Sequence, residues 1–190
     1  MIPKVKNSNK IILDLCGGSG AWSKPYKDAG YDVRLVTLPD RDVKDYIPPE
    51  NVYGILAAPP CTMFSFARTR AKTPRNFYQA IDTVKACLNI IWRCRCAAPV
   101  EFWALENPEG YLRQFLGRPA NRYKHCEFGH PSGKIVCLWG YFKPPIKHKR
   151  KKSFSRDKHG MSRWYNKHRS SAWRSITPAG FAQAFFQANP

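Results

Sequence analysis

Three short segments of this 190-residue chain hold residue types suited to chemistry. The first is Cys16-Gly17-Gly18-Ser19-Gly20, which follows the β-type run Ile11-Ile12-Leu13-Asp14-Leu15. Strand, glycine turn and helix together let a ligand approach the backbone closely. The spacing is neither G-x-G-x-x-G nor the Walker pattern, so it suits a nucleoside cofactor without a pyrophosphate. The second segment is Pro59-Pro60-Cys61-Thr62. A thiolate presented rigidly after two prolines attacks an electrophilic carbon when its pKa is lowered or an acid–base partner is near. The third is Glu106-Asn107-Pro108, whose carboxyl can hold a proton and deliver it to a ring nitrogen. Singly, each has a plain structural alternative: a tight turn, a half-buried cysteine, a solvated loop glutamate. Together they describe one site of cofactor turn, nucleophile and acid.

The elements around them read as an alternation. Residues 22–29 are predicted helical and stopped by Gly30, and Tyr31 to Leu38 is a second strand. Tyr53 to Ala58 is a third. Thr73-Pro74 then opens a long helix, with Thr as cap and Pro at its first position. Phe77, Ile81, Val84, Leu88 and Ile91 recur on it at three- and four-residue intervals. Phe102 to Leu105 and Ile135 to Trp139 are further strands, and Pro178 to Ala188 is a short apolar helix. This order predicts an α/β fold with a mostly parallel sheet and flanking helices. Ligands of such sheets sit beyond the carboxyl ends of the strands, where the three segments fall.

The chain carries 32 Lys and Arg against 13 Asp and Glu, a formal net charge of +19. Such a balance fits a polyanionic partner, nucleic acid before an anionic membrane surface. No apolar run approaches the ~20 residues of a membrane span, and the N-terminus shows no secretory apolar region. Between Lys143 and Ser175 there are twelve Lys and Arg against the single acid Asp157. Phe154, Trp164, Tyr165 and Trp173 are spaced among them. Cations neutralise phosphates and rings stack on bases, so the stretch reads as a nucleic-acid surface. Its expected contacts are Lys147, Lys149, Arg150, Lys151, Lys152, Arg163, Trp164, Lys167 and Arg169.

Seven cysteines without an export signal predict free thiols in a reducing compartment. Cys94 and Cys96, with His125, Cys126 and His130 downstream, lack the usual C-x2-4-C ligand spacing, so no metal is expected.

Asp14-Leu15-Cys16-Gly17-Gly18-Ser19-Gly20-Ala21-Trp22-Ser23 resembles the first motif of DNA cytosine-5 methyltransferases. Ala58-Pro59-Pro60-Cys61-Thr62-Met63-Phe64-Ser65 is similar to their nucleophile motif, and Leu105-Glu106-Asn107-Pro108 to their Glu-Asn motif. Order and spacing agree across roughly residues 11 to 142. Arg174-Ser175-Ile176-Thr177-Pro178 and the helix after it look like the closing segment of short, phage-type members.

The resemblance implies a Rossmann-like methyltransferase fold with S-adenosyl-L-methionine as cofactor. Residues 1–142 would form the catalytic core, 143–175 a basic insert replacing the target-recognition domain, and 176–190 a helix completing the core. It implies that Asp14, Cys16, Gly17, Gly18, Ser19, Gly20, Trp22, Asp42, Val43 and Pro59 bind the cofactor, Asp42-Val43 at the adenine. Cys61 would attack C6 of a cytosine flipped out of double-stranded DNA, and Glu106 would protonate N3. The methyl group would go to C5, with short or relaxed sequence specificity. A monomer acting in the cytoplasm of a bacterial host is the corresponding expectation. The pattern departs from the family at Cys16, usually phenylalanine, at Gly17, usually cysteine, and at Thr62, usually glutamine. No Gln-x-Arg-x-Arg segment is present, and Lys134 is the nearest cation. A catalytically silent DNA-binding relative, the same chemistry on RNA, and transfer of a group other than methyl all stay open.

Overall fold

The computed structural model describes residues 7–69, 71–148 and 171–190, with backbone alone at 171–172. Six strands form one sheet: β1 (Ile11–Leu15), β2 (Asp32–Val36), β3 (Val52–Ala57), β4 (Phe102–Pro108), β5 (Asn121–Lys124) and β6 (Ile135–Tyr141). Around it lie α1 (Lys24–Asp28), α2 (Phe77–Ala97), α3 (Leu112–Leu116), α4 (Ser171–Ser175) and α5 (Ala179–Ala188). A 3-10 turn spans His125–Phe128.

Period-two alternation along each strand divides the core between the two faces of the sheet. Leu13, Leu15, Ile55, Ala57, Leu105, Cys137 and Trp139 share one cluster with Val84, Cys87, Ile90 and Ile91 of α2. Ile12, Leu56, Phe102, Ala104, Val136 and Leu138 share the other with Trp22, Tyr26, Phe181 and Phe185. The second cluster is aromatic: Tyr26 stacks on Phe102 and meets Phe186 edge-on, and Trp22 meets Phe185 edge-on. Offset and edge-on ring pairs of this kind add about 0.5–1.5 kcal/mol each beyond burial. This packing holds the C-terminal helix, and the Tyr26 hydroxyl donates to the Asn189 carbonyl at 2.7 Å.

The strand order is β2-β1-β3-β4-β6-β5. β1 pairs in parallel with β2 and β3, and β3 in parallel with β4. β6 runs antiparallel to both of its neighbours, β4 and β5. The sheet is therefore mixed, which corrects the expectation of a mostly parallel one. β5 and β6 are successive and pair as two arms of one hairpin, and the returning arm inserts beside β4 rather than at the edge. Strand order reverses between β1 and β3, the kind of switch point where open α/β sheets leave a crevice.

The long helix starts later than its sequence suggests. Asn76, not Thr73, is its N-cap, with a side chain that accepts from the Gln79 N–H at 3.0 Å. The Thr73 hydroxyl and carbonyl are taken by the Arg68 guanidinium instead. No described helix is long and apolar enough to cross a membrane.

Candidate functional site

The glycine turn leaves the end of β1 at the switch point. Cys16 itself has φ +57°, and its N–H donates to the Val36 carbonyl at 2.7 Å. A non-glycine residue held in the left-handed region is uncommon and costs strain, which the β1–β2 pairing sustains. Gly18 and Gly20 have φ +56° and +69°, and nothing lies within 4 Å of where a Gly18 Cβ would stand. A Cβ at Gly17 would collide with the Asp14 carboxyl. The turn therefore lies flat over Asp14 with Gly18 and Ser19 exposed to solvent above it.

Asp14 is fully buried beneath the turn. Its Oδ2 accepts from the Ser23 hydroxyl at 2.5 Å, while its Oδ1 has no partner. Burial pushes its carboxyl up to about 6, against the pull of hydrogen bonds from Ser23. Asp14 thus supports the turn from below, with one oxygen still to be satisfied. Cys16 Sγ lies 3.9 Å from Cys87 Sγ on α2. That bond lowers the Cys16 thiol, while burial and the charges of Asp42 and Asp14 oppose it. Asp42, half-buried, lies near enough for its charge to act on the Cys16 thiol. The Asp42 Oδ1 also accepts from the Lys44 N–H at 2.9 Å, which fixes its loop.

One strand over, β3 ends at Ala57 and leads through Pro59-Pro60 to Cys61. The Cys61 carbonyl accepts from the N–H groups of Phe64 (3.0 Å) and Ser65 (2.9 Å), so the thiol sits at the head of a tight turn. Glu106 comes from the far half of β4, the strand paired with β3. Two backbone ties and one side chain join these strand ends. Asn107 is fully buried, and its Nδ2 donates to the Pro59 carbonyl at 3.0 Å. The Tyr111 N–H donates to the Phe64 carbonyl at 2.8 Å, and Ser65 bridges to Gly110. A side chain at Gly110 would strike the Phe64 carbonyl, so only glycine permits this approach.

The electrostatics link the two groups. Burial raises the Cys61 thiol, and the Glu106 charge raises it further. Lys134 and Arg174 pull it down. Burial likewise raises the Glu106 carboxyl, opposed by Lys134. A proton on Glu106 therefore removes a penalty on the Cys61 thiolate and leaves the two cations to favour it. The arrangement favours an acid and a nucleophile side by side.

Lys134, which the sequence offers only as the nearest cation where a Gln-x-Arg-x-Arg segment is absent, acts on both groups. It precedes β6, and the antiparallel pairing of Asn107 with Cys137 and Pro108 with Val136 brings the start of β6 to the end of β4. Behind it, His125 donates its N–H to the Lys134 carbonyl at 2.9 Å, and burial with Lys134 beside it holds the imidazole well below its usual value. Arg174, on α4 at the end of the basic insert, lies near enough for its charge to act on Cys61. Its cue in the sequence is its place just before Thr177-Pro178.

Other expected residues are placed differently. Trp22 (2% exposed) and Val43 (4% exposed) are core residues, Trp22 facing Phe181 and Phe185 of α5. Val43 packs into one core cluster and Trp22 into the other, so neither side chain offers a ligand an open surface. Pro59 is buried, and its carbonyl is spent on Asn107. Lys147 pairs with Glu127 at 3.1 Å and lies over the Tyr123 ring. Lys149, Arg150, Lys151, Lys152, Arg163, Trp164, Lys167 and Arg169 lie outside the described residues. All seven cysteines are free thiols. No group of three or more potential metal ligands is gathered among the described residues. No protein-family model matches the chain, and no curated protein matches it.

Proposed function

We propose that the chain is a DNA cytosine-5 methyltransferase with a Rossmann-like fold, using S-adenosyl-L-methionine and a covalent Cys61 adduct. The observation that carries this reading is the convergence of Cys61 and Glu106 on adjacent strand ends, one strand from the glycine turn. The turn fits the cofactor: open space over Gly18, Asp42 near Cys16, and a buried Asp14 oxygen without a partner. Gly18, Ser19, Gly20, Cys16 and Asp42 would hold it, with Asp14 beneath them. When bound, S-adenosyl-L-methionine supplies an electrophilic methyl carbon.

The residues of the chain then do the following. The target cytosine leaves the stack, since its ring cannot be reached in a duplex. Glu106 gives a proton to N3, which prevents negative charge from building on the ring as the Cys61 thiolate bonds to C6. Lys134 and Arg174 stabilise the thiolate before attack. The electron pair of the opened C5–C6 bond makes C5 the nucleophile toward methyl. Loss of the C5 proton to solvent afterwards restores the double bond and expels Cys61 as the thiolate, and N3 returns its proton to Glu106. The basic stretch 143–175 supplies phosphate affinity, with little material for reading base edges.

The test is a paired incubation of wild type and Cys61→Ala with labelled S-adenosyl-L-methionine and mixed-sequence DNA, followed by nucleoside mass analysis. 5-Methylcytosine from the wild type alone is expected. Cofactor binding without product on DNA would redirect the reading to RNA. Neither binding nor product would leave a silent nucleic-acid-binding relative.

A further inference from the structure

The stretch Ala67-Arg68-Thr69-Arg70-Ala71-Lys72-Thr73-Pro74-Arg75 contains four cations and no acid. In a basic protein it reads as more phosphate-binding surface. Arg75 behaves otherwise. Its Nη1 donates to the Met63 carbonyl at 2.5 Å, and its Nη2 donates to the Ser65 carbonyl at 2.9 Å. Nη2 also reaches the Arg68 carbonyl at 3.5 Å. The guanidinium lies 5.0 Å from the centre of the Tyr111 ring, whose own N–H holds the intervening Phe64 carbonyl. Three successive carbonyls after Cys61 are thereby taken. Arg75 holds the Met63 carbonyl and Tyr111 the Phe64 carbonyl, while the Ser65 carbonyl also accepts from the Arg68 N–H at 3.3 Å within the turn. A planar guanidinium fork reaches two carbonyls at once in a preset geometry that an ammonium lacks. Arg75 stands next to the N-cap of α2, so it ties the cysteine turn to the longest helix of the fold.

We propose that Arg75 is the positioning residue for the Cys61 nucleophile. It clamps the turn that keeps the thiol sunk beside Glu106, and it is not a contact for the nucleic acid backbone. The inference rests on the reading of Cys61 as nucleophile, and it adds what sets the depth and direction of that thiol. Near-attack geometry is demanding: a displacement of about 1 Å can cost about 100-fold in rate.

The experiment uses the full chain and iodoacetamide, with alkylation of each cysteine followed by peptide mass spectrometry across pH 6–10. In Arg75→Met the turn opens and Cys61 loses part of the burial that raises its thiol. Its thiol moves down and its alkylation at pH 7 should rise by up to about tenfold. Cys87, Cys94, Cys126 and Cys137 are buried elsewhere and should keep their wild-type rates. Methyl transfer by the variant should fall about 100-fold, with cofactor affinity unchanged. An unchanged Cys61 profile in Arg75→Met would overturn the proposal. So would a loss of activity that appears only as weaker, less salt-dependent DNA binding. Where Arg75→Met exposes every buried cysteine together, Arg75→Lys decides: a partial, Cys61-selective rise supports the clamp, and no rise overturns it. The alkylation pattern is read without methyl transfer. Failure of the wild type to make 5-methylcytosine would sink the function while leaving the clamp measurable.

Discussion

Replacing Asp14 by Asn should change how the stability of this protein depends on pH. The Asp14 carboxyl is fully buried, and burial lifts it from 3.8 to about 6 while the Ser23 hydrogen bonds pull the other way. A folded-state value above the unfolded one means that the native state binds this proton more tightly. The stabilisation from that proton is fully present below about pH 3.8 and is lost as pH rises through 6. A shift of about two units at 1.36 kcal/mol each corresponds to about 3 kcal/mol. Asp14→Asn keeps the shape and cannot ionise. Urea unfolding of both proteins from pH 4 to 7.5 reads the effect directly. At pH 4, just above the unfolded value, most of that stabilisation is still present, and the two should differ mainly by the altered bond to Ser23. By pH 7 the variant should have gained up to about 3 kcal/mol on the wild type. Taking the difference removes the groups common to both, including Glu106 and His125. A difference independent of pH over that range would refute the reasoning. It would mean that the carboxylate ionises in the fold at its ordinary cost, and so is not sealed beneath the glycine turn.

Glu106→Gln should lower the thiol pKa of Cys61, since the carboxylate charge that raises it is gone, while turnover falls about 10²–10⁴-fold with the lost proton donor. Lys134→Met should move the same thiol upward, and alkylation rates against pH measure both shifts. Asn107→Ala should cost about 1–3 kcal/mol in chemical denaturation by leaving the buried Pro59 carbonyl unpaired, with activity lost beyond what stability explains. Cys87→Ala should slow the alkylation of Cys16 at neutral pH, because the bond that lowers the Cys16 thiol is removed.

Much of the architecture is written locally. The runs at Ile11–Leu15 and Val52–Ala57 alternate or saturate with apolar residues, and each ends in a glycine or proline breaker. Such signals depend only on near neighbours, so strands, the glycine turn and the Cys61 loop are readable from the chain. The start of α2 is less so, because Thr73 has its hydroxyl claimed by Arg68 and leaves capping to Asn76. β5 is also silent: Asn121-Arg122-Tyr123-Lys124 is a short polar edge strand, with the charges that protect an exposed edge from stray pairing. α3, only five residues long, is too brief for a periodic signal.

The sequence by itself determined which residues stand at the ends of β1, β3 and β4, because turn chemistry and side-chain alternation are local. Only the tertiary structure decided the direction of β6. Direction depends on which strands pair across intervening chain, and the apolar pattern of Ile135–Tyr141 is the same read either way. In a parallel strand, the residue before β6 would lie at the far end of the sheet from Cys61. Because β6 is antiparallel to β4, Lys134 comes to the end where Cys61 and Glu106 meet, and its charge acts on both.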